Sequence, residues 1–144
     1  MPCQKSSVHK MVIYVTYCSK SKDSSLRNKK VTVYPFQLYK GKKRIEPFMN
    51  ACMSSMVNWA ILSDKYGIWF PNEKHKWYDK SPNQVTQDEL NELMEEFDTK
   101  LCMFDEIRFY HKGGRPLHKL YRGILENSRL NDRIKIVNSI KKIM

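Results

Sequence analysis

The run Met11-Val12-Ile13-Tyr14-Val15-Thr16-Tyr17 constrains the fold more than any other stretch of this chain. Its β-branched and aromatic residues follow one another almost without interruption. That pattern suits a strand covered on both faces of a sheet, not one alternating between core and water. A polar loop, Cys18 to Ser25, ends the run abruptly, and residues 23–30 read as exposed. Val57 to Leu62 (VNWAIL) reads as a second buried strand, left through Ser63-Asp64-Lys65-Tyr66-Gly67. Ile107 to Tyr110 is a short third strand, followed by the turn Gly113-Gly114-Arg115. Ile134 to Val137 reads either as a fourth strand or as the start of a terminal helix.

Helical spacing fills the intervals. Arg44 to Met56 carries Ile45, Phe48, Met49, Cys52 and Met56, with Pro47 in the first turn, where proline is tolerated. Before it, Pro35 to Lys43 reads as a connector, and residues 71–83 as a long irregular connection. Thr86 and Glu89 make a capping box, after which Leu90, Leu93, Met94, Phe97 and Leu101 form one apolar face. Pro116 suits the first position of a helix bearing Leu117, Leu120, Tyr121, Ile124 and Leu125. Strands alternating with helices imply parallel crossovers, hence a three-layer α/β/α sandwich with a mainly parallel central sheet. No repeat recurs at a fixed period.

Length and composition bound the function. A chain of 144 residues fits one domain, 1–144, here with a basic C-terminal extension at about 129–144. Hydrophobic residues at 41% exclude wholesale disorder. No apolar run reaches the roughly 18 residues of a membrane span, and Met11–Tyr17 lacks a small-residue cleavage site, so neither membrane nor secretory signal is expected. The cysteines Cys3, Cys18, Cys52 and Cys102 are irregularly spaced, and all but Cys18, which is weighed below, read as reduced thiols in a cytoplasmic protein. No histidine pair has metal-ligand spacing, and neither metal nor cofactor is expected.

The net charge of +11 is unevenly placed. Residues 1–48 carry 11 basic and 2 acidic side chains, residues 107–144 carry 10 and 2, and residues 84–106 carry 1 and 8. Two basic segments around an acidic helix favour an anionic partner, nucleic acid or nucleotide before a membrane surface. The acidic residues themselves read as the solvated face of a core-packing helix.

In open α/β sheets ligands bind outside the carboxyl ends of the strands. Three polar loops fall there: Cys18–Lys22, Ser63–Gly67 and His111–Arg115. The ligand-binding residues expected from them are Ser19, Lys20, Lys22, Ser63, Lys65, Tyr66, Gly67, Gly113, Gly114 and Arg115. Hydroxyls, lysines, glycines and an arginine suit an anion or nucleotide. Cys18–Lys22 and Lys65–Gly67 are predicted to face one shared pocket, with Tyr66 as a stacking face, a hydroxyl donor or a core plug. Cys18 and Asp79 are the two candidates for chemistry. Lys20 and Lys22 would enrich a Cys18 thiolate, against the preferred reading of a small hydrophobe closing a strand. Asp79 would serve as a general base if burial raised its pKa. Trp59 reads as core, whereas Trp69 and Trp77 either stack on bases or cover the core.

A family resemblance runs through these segments. Cys18-Ser19-Lys20-Ser21-Lys22, Leu38-Tyr39-Lys40-Gly41, Trp59-Ala60-Ile61-Leu62-Ser63-Asp64-Lys65-Tyr66-Gly67, Pro71 and Tyr78-Asp79 carry it. The chain resembles uncharacterised small domains related to the YaaA peroxide-response proteins and, more distantly, to the uracil-DNA-glycosylase-like domain of archaeosine synthase. The resemblance implies a uracil-DNA-glycosylase-like fold, a link to nucleic acid or modified bases, and ligand roles for Tyr39 and Tyr78. It supplies no catalytic residues. The expected function is therefore a nucleic-acid-binding domain with a nucleotide- or base-sized pocket. An enzyme acting on a nucleobase or nucleotide is the alternative, and a protein-interaction scaffold the second.

Overall fold

In the computed structural model, which describes residues 9–143, the first apolar run becomes the central strand β1, Val12–Tyr17. Ile13, Tyr14, Val15 and Thr16 are all buried, as a strand with neighbours on both sides and layers on both faces requires. In chain order follow β2 (Thr32–Val33), α1 (Pro35–Leu38), α2 (Ile45–Ser55), β3 (Asn58–Ser63), β4 (Gly67–Trp69) and β5 (His75–Lys76). Then come α3 (Gln87–Leu101), β6 (Glu106–Tyr110), α4 (Lys119–Asn127) and β7 (Ile134–Val137). The five-stranded sheet has the order β4-β3-β1-β6-β7, and β2 pairs β5 in a separate antiparallel ribbon.

β3, β1, β6 and β7 run parallel, so their outgoing loops share one rim. Register fixes the faces. Tyr14 lies beside Trp59 and Arg108, and Val15 beside Ala60 and Phe109. Phe48 of α2 packs edge-on to Trp59 and stacks on Tyr110, on one face. On the other face Tyr17 stacks on Phe109 and meets Tyr121 of α4. α3 lies against α4 and β4. The fold is mixed α/β with a mostly parallel central sheet and helices over both faces.

Local signals explain most boundaries. The Thr86–Glu89 capping box forms in both directions, at 3.2 and 3.0 Å. Leu93, Phe97 and Leu101 enter the core while Leu90 and Met94 pack against it, so the apolar face of α3 is used internally. A scaffold reading keeps only the acidic face of this helix for contact.

The stretches read as connections hold the short α1 and β5, and four further expectations change. The loop after β3 closes a hairpin: β4 returns antiparallel, with Trp69 beside Ile61 and Gly67 beside Ser63. Three residues are too short for a periodicity signal. Pro116 does not open α4, because His118 is its N-cap, with Nδ1 accepting from the Leu120 N–H at 3.0 Å. Residues 134–137 are a parallel strand, so the stretch read as a basic C-terminal extension contributes to the sheet. Cys18 and Cys52 are buried free thiols, whereas Cys102 is disulfide-bonded, against the expectation for it; Cys3 lies outside the described residues. Among the described residues, no helix is long and apolar enough to cross a membrane.

Candidate functional site

The loops leaving β1 and β3 enclose a cavity of about 400 Å³. That volume falls within the roughly 300–1,000 Å³ usual for small-molecule sites. β1 and its loop contribute Tyr17, Cys18, Ser19, Lys20 and Lys22 to the walls, and β3 is represented by Asp64. The connection to α3 adds Asp79–Pro82 and Gln84, and α4 adds His118 and Tyr121. Backbone bonds hold the first loop in place. The Cys18 N–H donates to the Leu62 carbonyl at 3.0 Å, and Lys40 N–H to the Ser21 carbonyl at 3.0 Å. Ser19 Oγ donates to the Lys40 carbonyl and accepts from the Ser21 N–H, both at 3.1 Å.

Asp64 forms the acidic floor. It is 2% exposed, and its Oδ1 has no hydrogen-bond partner among the described residues. An unpaired buried carboxylate oxygen is costly, so the site stores unspent acceptor capacity. Burial pushes the Asp64 carboxyl above the usual aspartate range; the charge of Lys22 and hydrogen bonds from Cys18 and Tyr78 oppose that rise. Cys18 Sγ lies 3.2 Å from the Tyr121 hydroxyl. Burial, then the neighbouring Asp64 charge, pushes the Cys18 thiol up. Cys18 thus sits in the core cluster as a neutral thiol, which agrees with the small-hydrophobe reading and not with a thiolate enriched by Lys20 and Lys22.

Behind the floor lies a buried hydroxyl chain. Ser63 Oγ donates to the Tyr78 hydroxyl at 3.1 Å, and Tyr78 and Tyr39 hydroxyls are 2.7 Å apart. Ser63 Oγ also accepts from the N–H groups of Lys65 and Tyr66, at 3.1 and 3.0 Å, which shapes the turn into β4. Ser63, Tyr39 and Tyr78 thus support the cavity from beneath without lining it. Burial drives both phenols well above their usual range. Lys22 Nζ sits 4.4 Å from the Tyr78 ring centroid, tying the rim to this support.

The shared-pocket expectation holds for only part of the second loop. Asp64 reaches the cavity, but Lys65, Tyr66 and Gly67 do not. Tyr66 stacks on His75 at 4.0 Å and donates to the Lys76 carbonyl at 2.9 Å, while Lys65 is exposed. Gly67 adopts φ +70°, and a Cβ there would come within 2.6 Å of Glu96 Oε1. These three residues belong to the hairpin. Asp79 lies on the rim but is exposed, so the buried carboxylate beside Cys18 is Asp64 and not Asp79. Trp69 is fully buried, with Nε1 donating to the Glu73 carbonyl, so it covers the core and presents no face to a base.

Gly113, Gly114 and Arg115 line a second cavity of about 490 Å³ at the end of β6, with Lys43, Arg44, His111 and Lys112. Tyr17 belongs to both cavities. Arg44 fixes this partition. Its Nη1 donates to the Tyr17 carbonyl at 2.7 Å and to Thr16 Oγ1 at 3.1 Å, and its Nη2 to the Cys18 carbonyl at 3.0 Å. The guanidinium lies 3.7 Å from the Tyr17 ring centroid.

Sequence reasoning passed over Asp64, Tyr121, His118 and Arg44. Asp64 stood in a polar turn beside a serine with no histidine companion, and Tyr121 had the spacing of a core residue. His118 Nδ1 accepts a backbone N–H, which leaves the proton on Nε2 to donate to Asn83 Oδ1 at 2.7 Å. Among the described residues no cluster of histidine, cysteine or carboxylate side chains could hold a metal ion. No family model, curated protein or solved structure was found to match the chain.

Proposed function

We propose that this chain is a nucleic-acid-binding α/β domain whose cavity at the ends of β1 and β3 takes a nucleotide or its base. The observation that carries the reading is the buried Asp64 carboxylate, with Oδ1 unpaired, facing a cavity rimmed by Lys20 and Lys22. A nucleobase edge brings N–H donors that suit such an acceptor, and phosphates suit the lysines. The resemblance in Cys18–Lys22 and Trp59–Gly67 supports the same reading, and a uracil-DNA-glycosylase-like, YaaA-related kinship is part of the proposal.

The test is titration of single- and double-stranded DNA and RNA at two salt concentrations. Binding should weaken steeply as salt rises, because lysines that neutralise phosphates release counterions. Absence of binding at low salt would remove the reading.

A second reading, an enzyme acting on a nucleobase, is favoured by one observation: a carboxyl with a raised pKa beside a thiol and a phenol. Asp64 would then exchange a proton with the bound base. Mass spectrometry of nucleosides and oligonucleotides incubated with wild type and Asp64→Asn separates this from binding alone. Equal turnover by both proteins excludes Asp64 as the general base.

A further inference from the structure

We propose that the niche at the end of β6 is a phosphate subsite, and that one single-stranded nucleic acid spans it and the Asp64 cavity. The inference rests on the base-binding reading of that cavity. The niche differs from its neighbour in charge: Lys43, Arg44, Lys112 and Arg115 surround it and no acidic side chain does. Lys43, Lys112 and Arg115 make no ion pair among the described residues. Gly113 and Gly114 both have positive φ, +90° and +86°, and nothing lies within 4 Å of where a Cβ would stand at either. Their N–H groups donate to no acceptor among the described residues. Free backbone N–H groups in a positive-φ turn, flanked by cations, form a concavity suited to a phosphate.

The linings of the two cavities have one residue in common. Tyr17 lines both, with Tyr121 at 5.3 Å on the Asp64 side and His111 at 6.2 Å on the niche side, centroid to centroid. Arg44, itself part of the niche lining, lies over that ring at 3.7 Å. A nucleotide likewise separates its base from the next phosphate by a single sugar. A base reaching Asp64 would carry its backbone past Tyr17 and set the adjoining phosphate among Lys112, Arg115 and the glycine N–H groups. Asp64 lies too deep for a base still stacked in a duplex, so the strand must be single or locally opened.

Calorimetric titration with ribo- and deoxyribonucleosides and the matching homotrinucleotides, on wild type and K112A/R115A, tests this. Wild type should bind a trinucleotide at least about tenfold more tightly than its nucleoside, with a salt slope steeper by about 0.7 per phosphate held. The double variant, whose two side chains are exposed, should melt at the wild-type temperature and lose most of that gain. If nucleosides bind but trinucleotides bind no better, or the variant keeps the full gain, the niche is not a phosphate subsite and the Asp64 reading stands. If nothing binds, the base-binding reading fails and this inference with it.

Discussion

The two cavities on the strand-end rim share a wall and differ in nearly everything else. The one lined by Cys18 and Asp64 has a buried, underpaired carboxylate backed by tyrosine hydroxyls. The one before Gly113 and Gly114 has an exposed turn, four cationic side chains and free N–H groups. Parallel strands explain why both sit on the same rim. They do not explain why there are two. That follows from Arg44, which holds the Tyr17, Cys18 and Thr16 oxygens and stands Tyr17 up as a partition.

Arg44→Ala should break this comparison most severely. It strands carbonyls at the end of β1 and frees Tyr17, costing about 3 kcal/mol at roughly 1–3 kcal/mol per abandoned buried acceptor. Thermal unfolding should show a fall of about 10 °C or more for a chain of this size. Ligand binding should weaken in both cavities together. A variant that melts normally would mean that the partition does not depend on this guanidinium.

Asp64→Asn sharpens the comparison by touching one cavity only. Base or nucleoside affinity should fall roughly tenfold to a hundredfold, the range of a hydrogen bond to a charged group. Stability should respond in a pH-dependent way. The folded pKa of Asp64 is raised, so the folded state holds the proton more tightly than the unfolded chain. Its contribution is fully present below the ordinary value of 3.8 and is lost as pH rises through the folded value. The melting temperature of Asp64→Asn relative to wild type should therefore climb across that window; a flat difference would contradict the raised pKa.

Gly67→Ala should cost about 1–2 kcal/mol through its positive φ alone, with the Glu96 carboxylate giving way. Because the residue lies in the hairpin and lines neither cavity, nucleoside affinity in the folded protein should be unchanged. A binding defect without a stability defect would return Lys65–Gly67 to the site.

What the sequence made legible follows the same divide. The central strand, the capping box of α3 and the gathering of three loops on one rim rest on patterns that adjacent residues carry by themselves. The hairpin strand β4 escaped because three residues show no period. Ser63, Tyr39 and Tyr78 were expected to bind ligand, but their hydroxyls belong to a network beneath the cavity. That placement depends on residues far apart in the chain. Asp64 was the least legible, since one carboxylate in a polar turn looks like any other until burial isolates it. Cys18 shows the converse: its sequence neighbours are lysines, whereas the charge that acts on it in space is Asp64.

The most direct measurement is an NMR titration of the isotope-labelled protein with nucleoside monophosphates at low salt. The predicted result is a set of amide shifts concentrated at Cys18–Lys22, Asp64 and residues 79–81, with weaker shifts at residues 112–115. Shifts at the opposite end of the strands, around Asn58, Phe70 and Phe104, or no shifts at all, would contradict the assignment of the Asp64 cavity.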